Sequence, residues 1–511
     1  MSKADPAHPF SPDAVRTFSD ETTVAAAEAT ELNAIARNVA SQYRRDARSP
    51  VMISGYLRLI EFALFCLSGA GVYLAYVETH LTWEYPVLMV GGALLAVVLL
   101  ELVDAYQIAT LRQPMLRFGT LVLVWAGAFA AMALASFLLK LADDFSRVWF
   151  SGWFISGLAC FVAVRLIVAR LVRRWARNGA MERRAVIVGG GRNAETLIRS
   201  IEVQPYNDIR ICGIFDDRDD RRSPALVAGY PKLGTIAELT AFARIARIDM
   251  LIVSLPISAE HRVLSMLKKL WVLPVDIRLS AHSHELQFRP RAYSYIGSVP
   301  LLDIFDKPIT EWDSVAKRAF DIVFSLLGII LLSPVMVATA IAIKLDSKGP
   351  VFFKQKRHGF NNEVIEVFKF RSMYTDKSDP TAKQAVTKND PRVTRVGRFI
   401  RKTSIDELPQ FFNTLMGSLS LVGPRPHAVA AQSHNLLYTE VVDGYFARHK
   451  VKPGVTGWAQ INGWRGEMDT DEKIRKRTEF DLYYIENWSL WFDLKILLLT
   501  PIRLFNTENA Y

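Results

Sequence analysis

Four apolar stretches in the first third of the chain restrict its fold more than any other feature. They run approximately over residues 59–77, 85–102, 121–139 and 148–168. Each is close to the length of about 20 residues that a helix needs to cross the hydrocarbon core of a membrane. Hydrophobic residues make up 50% of the chain, which is high for a purely soluble protein. The sequence therefore predicts four membrane-spanning helices, arranged as two hairpins.

The positions of the arginines predict how these helices are oriented. Arginines precede the first stretch, lie between the second and third, and follow the fourth, whereas the loop 78–84 contains no Lys or Arg. Because positively charged short loops stay on the cytoplasmic side, both ends of the bundle are predicted to be cytoplasmic. Residues 1–50 lack the basic start and apolar core of a cleavable signal. We interpret them as a flexible cytoplasmic tail and residues 51–177 as the transmembrane bundle.

Charge and cysteine content restrict the partners of the chain. The net charge of +11 suits an anionic membrane surface or an anionic substrate. Nucleic acid is not an expected partner, because the charge follows the membrane flanks and no recognised nucleic-acid-binding motif occurs. Cys66, Cys160 and Cys212 show neither paired nor metal-ligating spacing.

After the bundle, the sequence predicts an α/β Rossmann-like domain over residues 183–300. A short apolar strand leads into a glycine turn and a helix with G-x-G-x-x-A spacing, which lets a phosphate approach a helix N-terminus. The next strand ends on an acid, where a ribose-binding carboxylate is expected. The candidate nucleotide-binding residues are Gly189, Gly191, Ala194 and Asp216. The same turn also occurs where a strand only packs closely against a helix, so a binding role and a structural role both stay open.

A fifth apolar segment, residues 319–343, is long enough to cross a membrane but carries lysines and arginines on both flanks. Both ends therefore have the cytoplasmic signature. Pro334 bends or breaks a helix, and Ser333 can bond the carbonyls that the proline leaves free. The sequence predicts a re-entrant segment over residues 315–345 that enters one leaflet, turns at these two residues and returns to the same side. An ordinary kinked span is the alternative.

Basic side chains gather around two adjacent acids, Asp406 and Glu407, in the last third of the chain. Arginines at every third position over 392–401 form a cationic stripe on a helix. An arginine fork matches the geometry of phosphate oxygens. The basic candidates for binding substrate phosphate are Lys369, Arg371, Arg401 and Arg425.

The two acids allow a structural and a catalytic interpretation. Apolar spacing predicts a helix from the acids to about Met416, which places Pro409 in its first turn and Asp406 at or beside the N-cap. An N-cap Asp followed by a Glu would be merely structural. Alternatively, one carboxylate attacks phosphorus while the other, Glu407, holds a divalent ion such as Mg²⁺. Because Pro409 has no N–H to offer a capping side chain, the Asp406 carboxylate is expected to be free to react.

Five motifs now make a resemblance visible: GPVFFKQKRHG, FKFRSM, SIDELPQFFNTLMGSLSLVGPRP, KPGVTGWAQINGWRGE and DLYYIENWSLWFDLKIL. In this order they resemble the bacterial sugar transferase family, whose members are polyprenyl-phosphate hexose-1-phosphate transferases. The match covers about residues 314–511, and the preceding parts look like the long form of the family. The resemblance implies a three-part fold: an α-helical membrane bundle, an α/β Rossmann-like domain, and a mostly helical catalytic domain over 314–511 with a re-entrant membrane helix.

The family's site residues can be carried over position by position. Its covalent nucleophile falls on Asp406 and its magnesium ligand on Glu407, so the resemblance implies Mg²⁺ as the cofactor. The family's phosphate-binding residues fall on Lys369, Arg401 and Arg425, and its helix break falls on Ser333 and Pro334.

The implied reaction moves glucose 1-phosphate from UDP-glucose to undecaprenyl phosphate and releases UMP, which starts an exopolysaccharide or capsule repeat unit. Residues 457–467 look most like the glucose branch of the family, and galactose 1-phosphate or another UDP-hexose is the alternative. The implied partners are a UDP-sugar, undecaprenyl phosphate and inner-membrane lipid, for a multi-pass protein of the bacterial inner membrane with a cytoplasmic catalytic domain. A homodimer is compatible with the sequence but not decided by it.

Two other classes of protein compete with this reading. A membrane-anchored NAD-dependent nucleotide-sugar dehydratase or epimerase would need a Tyr-x-x-x-Lys pair after the glycine turn, and the sequence has none there. A regulatory scaffold predicts that residues 406–426 tolerate substitution. The apolar and aromatic C-terminal stretch 488–505 predicts an interfacial helix, with a buried core helix as the alternative.

Overall fold

The structure is a computed structural model of the 511-residue chain. It describes residues 15, 32–43, 49–77, 83–107, 110–111, 117–141, 144–179, 181–204, 209–218, 223–256, 259–280, 293–296, 299–375, 390–427, 432–433, 436–437, 445–464 and 470–504. The chain divides into two compact units, Asp46–Glu182 and a second unit formed by Met1–Arg45 with Arg183–Tyr511.

The first unit contains the four predicted membrane helices. They are α2 (Pro50–Tyr76), α3 (Glu84–Leu102), α4 (Phe118–Leu138) and α5 (Arg147–Arg177). Helix α2 packs on α3 and α5, and α4 packs on α3 and α5. Two fully buried tryptophans of α5 form hydrogen bonds to the backbone of α2. Trp149 donates to the Gly69 carbonyl at 2.9 Å, and Trp153 donates to the Phe65 carbonyl at 2.9 Å. All four helices are long and apolar enough to cross a membrane, which confirms them as candidate spans.

Part of the predicted N-terminal tail is folded, which corrects the interpretation of residues 1–50 as wholly flexible. Helix α1 (Ala34–Gln42) begins at Asn33, whose side chain accepts from the Ala36 N–H at 2.8 Å and donates to the Leu233 carbonyl at 2.6 Å. Ala36 and Ala40 are fully buried. These two small residues, four positions apart, lie on one face of the helix, which packs on the α/β domain. The pattern is too brief to recognise in the sequence.

The α/β domain is built on one eight-stranded mixed sheet with the order β3-β4-β2-β1-β5-β6-β8-β7. Its strands are β1 (Arg183–Val188), β2 (Ile209–Phe215), β3 (Leu226–Val227), β4 (Tyr230–Gly234), β5 (Met250–Val253), β6 (Asp276–Ser280), β7 (Tyr293–Ile296) and β8 (Val299–Phe305), and its helices are α6 (Arg192–Glu202), α7 (Ile236–Ile245) and α8 (Glu260–Leu270). The central strands β4, β2, β1, β5 and β6 are parallel. At one edge, β8 pairs antiparallel with β6, and β7 pairs antiparallel with β8. The predicted Rossmann-like topology is therefore confirmed.

The C-terminal part wraps short elements around one long helix, α9 (Glu311–Asp346). The other elements are β9 (Phe352–His358), β10 (Val364–Phe370), α10 (Arg395–Lys402), α11 (Gln410–Met416), β11 (Ser420–Val422), β12 (Gln432–Ser433), β13 (Leu436–Leu437), β14 (Gly454–Thr456), α12 (Trp458–Ile461), α13 (Asp471–Glu486) and α14 (Leu490–Leu504), with 3₁₀ helices at Phe360–Asn362, Ile405–Glu407 and Tyr445–Lys450. In agreement with the prediction, helix dominates this part.

Helix α9 is the fifth helix that is long and apolar enough to cross a membrane. The helix is continuous through Ser333 and Pro334 and is not divided into two helices there. The Ser333 hydroxyl donates to the Ile330 carbonyl at 2.8 Å. The membrane path of this segment stays a prediction.

Helix α14 combines features of both predicted alternatives. Asp493 and Ile496 are fully buried, whereas Trp491 is 74% exposed and Leu498 is 63% exposed. The Asp493 carboxylate pairs with Lys317 of α9 at 2.8 Å, which fastens the base of the long helix to the C-terminal helix.

Candidate active site

A β-hairpin places two cationic side chains on one face. In the antiparallel pair β9–β10, Lys369 lies opposite Phe353 and Ile365 lies opposite Arg357. Opposite residues share a face, and every second residue along a strand does so too. Lys369 and Arg357 therefore point to the same side of the hairpin, toward the two acids.

The two acids lie in a 3₁₀ turn, Ile405–Glu407, rather than at the start of a helix. Helix α11 begins three residues later, with Pro409 as its N-cap residue and without a side-chain capping bond. The prediction of Asp406 at or beside the N-cap of a helix that starts at the acids is therefore wrong. Ser404, at φ 58°, adopts a left-handed conformation that turns the chain sharply just before the acids. The predicted end of the helix at about Met416 is confirmed, since Gly417 follows it with a φ of 87° and ends α11.

Both oxygens of the Glu407 carboxylate are held by cations. Lys369 Nζ donates to Oε1 at 3.0 Å, and Arg425 donates to Oε2 at 3.0 Å and also to Oε1. Burial alone would raise the pKa of the Glu407 carboxyl, but Arg425 and Lys369 hold that pKa well below its usual range. Glu407 is thus a fixed anion that orients two cations.

Asp406 is buried, at 9% exposure, and is less tightly held. Its Oδ2 lies 4.0 Å from Lys369 Nζ, beyond a hydrogen bond. Burial raises the pKa of the Asp406 carboxyl, with Lys369 and Arg401 opposing the rise and Glu407 adding to it. The four cations Lys369, Arg357, Arg401 and Arg425 act on this pair of acids. Within the described residues, the site therefore has an excess of positive charge around one weakly engaged carboxylate.

Arg371, a predicted phosphate ligand, points elsewhere. Its guanidinium donates to the Pro350 carbonyl at 2.7 Å and to the Ser347 hydroxyl and carbonyl at 2.7 and 2.9 Å. In the part of the chain that is described, it makes no bond to either acid. Arg371 thus bonds the segment that follows α9, and its predicted role in binding substrate phosphate stays a prediction.

Arg425 depends on a second layer that the sequence did not reveal. The Arg448 guanidinium donates to the Arg425 carbonyl at 3.0 Å, to Asp481 Oδ2 at 2.5 Å and to the Tyr445 hydroxyl at 2.6 Å. Arg357 also supports the loop by donating to the Pro426 carbonyl. Strand alternation could have assigned Arg357 to the site, but Arg448 and Asp481 come from separate segments and carry no local signal.

The polar groups at the glycine turn of the α/β domain are hydrogen-bonded to other residues of the same domain. Gly189 and Gly191 have positive φ values of 95° and 81°, as a tight strand-to-helix turn requires. The Gly190 N–H donates to Asp216 Oδ2 at 2.6 Å, and Arg218 donates to the same oxygen at 2.8 Å and to the Gly190 carbonyl at 2.6 Å. Asp216 is thereby 3% exposed.

Among the described residues, the space and the polar groups at this turn are occupied by the chain itself, and nucleotide binding there stays a prediction. A Cβ at Gly190 would lie 2.2 Å from the Ser223 hydroxyl, so the space beside the turn is filled. Ala194 is fully buried in the core under α6. Burial would raise the pKa of Asp216, but the bonds from Arg218 and Gly190 hold that pKa below its usual value. The carboxylate expected to bind ribose is bonded to the turn expected to bind phosphate.

Comparisons with known proteins add the following findings. A sequence model of the bacterial sugar transferase family matches residues 312–507, and a model described as a CoA-binding domain matches residues 101–281. The second match begins within α3, whereas the sheet begins at Arg183.

Relatives cover most of the chain. A UDP-glucose:undecaprenyl-phosphate glucose-1-phosphate transferase of Escherichia coli (strain K12) is 39% identical over 73% of this chain and 79% of its own length. The protein of the same name from Xanthomonas campestris pv. campestris is 33% identical over 91% of this chain and 97% of its own length. An undecaprenyl-phosphate glucose phosphotransferase of Komagataeibacter xylinus is 38% identical over 75% of this chain and 71% of its own length. The chain therefore belongs to the bacterial sugar transferase family and is a transferase that carries membrane helices.

Proposed function

We propose that this enzyme transfers glucose 1-phosphate from UDP-glucose to undecaprenyl phosphate and releases UMP, with Asp406 as a covalent nucleophile. The observation that carries the proposal is the contrast between the adjacent acids. Glu407 is bonded on both oxygens, whereas Asp406 is buried beside Lys369 without a hydrogen bond to it. A carboxylate that is buried, weakly engaged and surrounded by cations is suited to attack an electrophile that carries negative charge.

The first half-reaction forms a bond between an Asp406 oxygen and the β-phosphorus of the donor. The bond from that phosphorus to the bridging oxygen breaks, and the electron pair leaves with UMP. Lys369, Arg401 and Arg425 stabilise the charge that spreads over the phosphoryl oxygens. In the second half-reaction, an oxygen of undecaprenyl phosphate attacks the same phosphorus, the bond to Asp406 breaks, and the carboxylate is restored.

The donor set of the site fits a magnesium ion. Mg²⁺ prefers one or two carboxylates together with substrate phosphates. Among the described residues, no group of three or more His, Cys, Asp or Glu side chains could hold a metal, so the ion would need substrate phosphate as a further ligand. Glu407 would hold it after exchanging a bond to Lys369 or Arg425, and the ion would neutralise phosphate oxygens.

The path of α9 supports a same-side membrane segment. Both ends bind the catalytic domain: Arg318 donates to the Thr414 carbonyl at 2.6 Å, and Asp346 accepts from the Val396 N–H at 3.1 Å. A 36-residue helix is about 54 Å long. Its buried residues form two groups toward its ends, with none over residues 326–335: Lys317, Asp321 and Ser325 near the start, and Met336, Thr339 and Ile343 near the end.

The opposite face of α9 is apolar and exposed, with Leu327 at 55%, Leu331 at 78% and Ile341 at 56%. Because a polar domain holds this helix toward both ends and such an apolar face lies between them, we infer that the helix enters the membrane and returns on the side of that domain. A cysteine at Lys354, just after α9, tests this path. An impermeant thiol reagent is expected to label it in inverted membrane vesicles and not in intact cells. Labelling only from outside the cell contradicts the same-side path.

A donor panel tests the reaction itself. Purified enzyme with Mg²⁺ and undecaprenyl phosphate should release UMP fastest from UDP-glucose and more slowly from UDP-galactose and UDP-N-acetylgalactosamine. With UDP-glucose alone, intact-mass analysis should detect a hexose-phosphate adduct that is absent from Asp406→Asn. UMP release without any adduct on a rapid-quench time scale contradicts the covalent route, and a preference for another donor corrects the sugar.

A further inference from the structure

One short 3₁₀ helix, Tyr445–Lys450, contacts the α/β domain and the catalytic site at the same time; we call it the bridging helix. Both sets of contacts lie within the same compact unit of the chain. Consecutive side chains of a tight helix point in different directions. Three of its residues contact the α/β domain, and the other three contact the loop that carries Arg425.

The side facing the α/β domain is anchored by packing and by cation–π contacts. Ala447 is fully buried within the domain's hydrophobic core. The Arg244 guanidinium of α7 lies 5.6 Å from the centre of the Phe446 ring. Lys450 Nζ lies 5.5 Å from the Trp271 ring and 5.1 Å from the Phe305 ring, within the range of attraction between a cation and an aromatic face.

The side facing the catalytic site fixes the backbone of the Arg425 loop. Arg448 bonds the Arg425 carbonyl at 3.0 Å while its charge is matched by Asp481. The His449 ring stacks on the His427 ring, with centroids 5.2 Å apart. The loop is therefore held at two residues, Arg425 and His427, by adjacent residues of the bridging helix.

A second contact supports the same loop from the hairpin. The Asn361 side chain donates to the Ala243 carbonyl of α7 at 3.0 Å and is itself buried. Three residues earlier, the His358 N–H donates to the His427 carbonyl at 3.2 Å. Helix α7 thus supports the Arg425 loop along two routes, through the bridging helix and through the hairpin.

We propose that the α/β domain acts as a positioning element for catalysis: it fixes the bridging helix so that Arg448, a positioning residue, holds Arg425 against Glu407. This inference rests on the proposed function for its kinetic consequences. It gives the domain a role that requires no nucleotide, in agreement with the closed glycine turn. Neither Arg448 nor the domain touches substrate; both act through Arg425.

The first test loosens the contact with the α/β domain and leaves the buried Arg448–Asp481 pair intact. In Phe446→Ala combined with Lys450→Met, we expect kcat for UMP release to fall about tenfold, the loss that follows when a catalytic group is misplaced. Lys269→Ala, an exposed position on α8, is the matched control and should keep wild-type turnover. Unchanged kcat in the double variant contradicts the proposal.

A double-mutant cycle separates positioning from general stability. Arg448→Lys keeps a charge for Asp481 but cannot also reach the Arg425 carbonyl, and it should lower kcat about tenfold to hundredfold. In an Arg425→Ala background, the same change should cost less than about twofold, because residues that act as a unit are not additive. Equal losses in both backgrounds, together with a lower melting temperature, show a merely structural role and overturn the proposal.

Hydrogen–deuterium exchange measures whether the Arg425 loop becomes looser, and this measurement does not depend on enzyme activity. The His358 amide, which donates to the His427 carbonyl, should exchange faster in Phe446→Ala/Lys450→Met than in wild type or Lys269→Ala. Unchanged exchange at this amide contradicts the positioning role, even if the enzyme proves to use another substrate. Absence of UMP release from wild type, with exchange still altered in the variant, rejects the proposed function and retains the mechanical link.

Discussion

The glycine turn of the α/β domain and the pair of acids in the catalytic domain both contain buried carboxylates beside arginines. They differ in whether cations and carboxylates balance one another. In the turn, Asp216 accepts from Gly190 and from Arg218, so one acid meets one arginine and one amide. In the catalytic domain, two acids meet four cations, and Asp406 has no hydrogen bond to the nearest of them. The first site is closed by its own residues, whereas the second can receive an anion.

A sequence motif therefore shows which groups lie near one another, but not whether these groups are available to a ligand. Burial is similar in the two places, since Asp216 is 3% exposed and Asp406 is 9% exposed. The pKa shifts differ in direction, however. Bonds from Arg218 and Gly190 lower the pKa of Asp216 against the effect of burial, and burial raises that of Asp406 despite the cations around it.

The largest expected effect comes from replacing each acid by its amide. Asp406→Asn removes the proposed nucleophile and should reduce UMP release at least about a thousandfold, as loss of a catalytic nucleophile does. Asp216→Asn, the matched change at the closed site, should leave turnover within about twofold and act on stability only. Release of UMP with both donor and acceptor present measures this comparison. If Asp406→Asn kept more than a tenth of the activity, the contrast between the sites would have no catalytic meaning.

The next effect concerns pH and the cation nearest to Asp406. The attacking form is the carboxylate, and its pKa is raised, so turnover should fall as the pH drops through that raised pKa. Lys369→Met removes the strongest opposing charge. The pKa of Asp406 should then rise further, the acid limb of the pH–rate profile should move to higher pH, and kcat should fall about tenfold to hundredfold.

Lys354→Met is the control for this change. Lys354 lies on the same hairpin, is 61% exposed and pairs with Glu366 at 3.1 Å. Its loss should leave the acid limb where it is, because exposed pairs contribute little. An unshifted limb in Lys369→Met would mean that Asp406 is not the group that limits the rate at low pH.

A third pair of variants replaces a glycine by alanine, once near the pair of acids and once in the glycine turn. In Gly423→Ala the new Cβ would lie 2.5 Å from the Lys452 carbonyl, a backbone atom. In Gly190→Ala it would lie 2.2 Å from the Ser223 hydroxyl, which can rotate away. Overpacking against backbone should cost about 1–3 kcal/mol of unfolding free energy and should lower turnover, because Arg425 is two residues away.

Gly190→Ala should therefore be the milder of the two variants and should not change turnover. Thermal unfolding and UMP release, measured on the same samples, give both quantities. Equal loss of activity in the two variants would show that the glycine turn, too, communicates with the catalytic site.

The sequence predicted most of the fold because its signals are local and strong. Uninterrupted apolar runs predicted α2 to α5, and the alternation of apolar strands and helices predicted the parallel sheet. Helix α1 was missed because a short helix with two small buried residues, Ala36 and Ala40, gives no strong period. The start of α11 was misplaced because Pro409 fits the first turn of a helix and also its N-cap, and spacing alone cannot choose between the two.

The site was predicted only as far as its motifs are contiguous. Lys369, Arg401 and Arg425 lie close enough to the two acids to act on them electrostatically, and their role in binding substrate phosphate stays a prediction. Arg371 is two residues after Lys369 and would share its face in a continued strand, but the strand ends at Phe370 and Arg371 bonds Pro350 and Ser347 instead. Arg448 comes from a segment with no recognisable motif, and only tertiary contacts show that it supports Arg425.

The weakest change that we consider lies in α1, which packs on the α/β domain near the glycine turn. Asn33 caps α1 and also donates to the Leu233 carbonyl at 2.6 Å; the neighbouring Gly234 carbonyl accepts from the Asp216 N–H at 3.0 Å. Asn33→Ala removes both bonds of the side chain and should lower the unfolding free energy by about 1 kcal/mol, the usual cost of losing an N-cap. Asn38→Ala, exposed on the same helix, should be neutral or slightly stabilising because Ala is the better helix former.

Turnover decides how far the closed site is isolated from the catalytic one. Helix α1 packs on α7, and α7 supports the Arg425 loop through Ala243 and Arg244. Asn33→Ala should unfold at a slightly lower temperature than wild type. If α7 is rigid, the rate of UMP release below that temperature should stay at the wild-type value. A loss of turnover without a change in melting temperature would mean instead that the N-terminal helix adjusts Arg425 through α7. The two sites would then differ in chemistry while sharing one mechanical support.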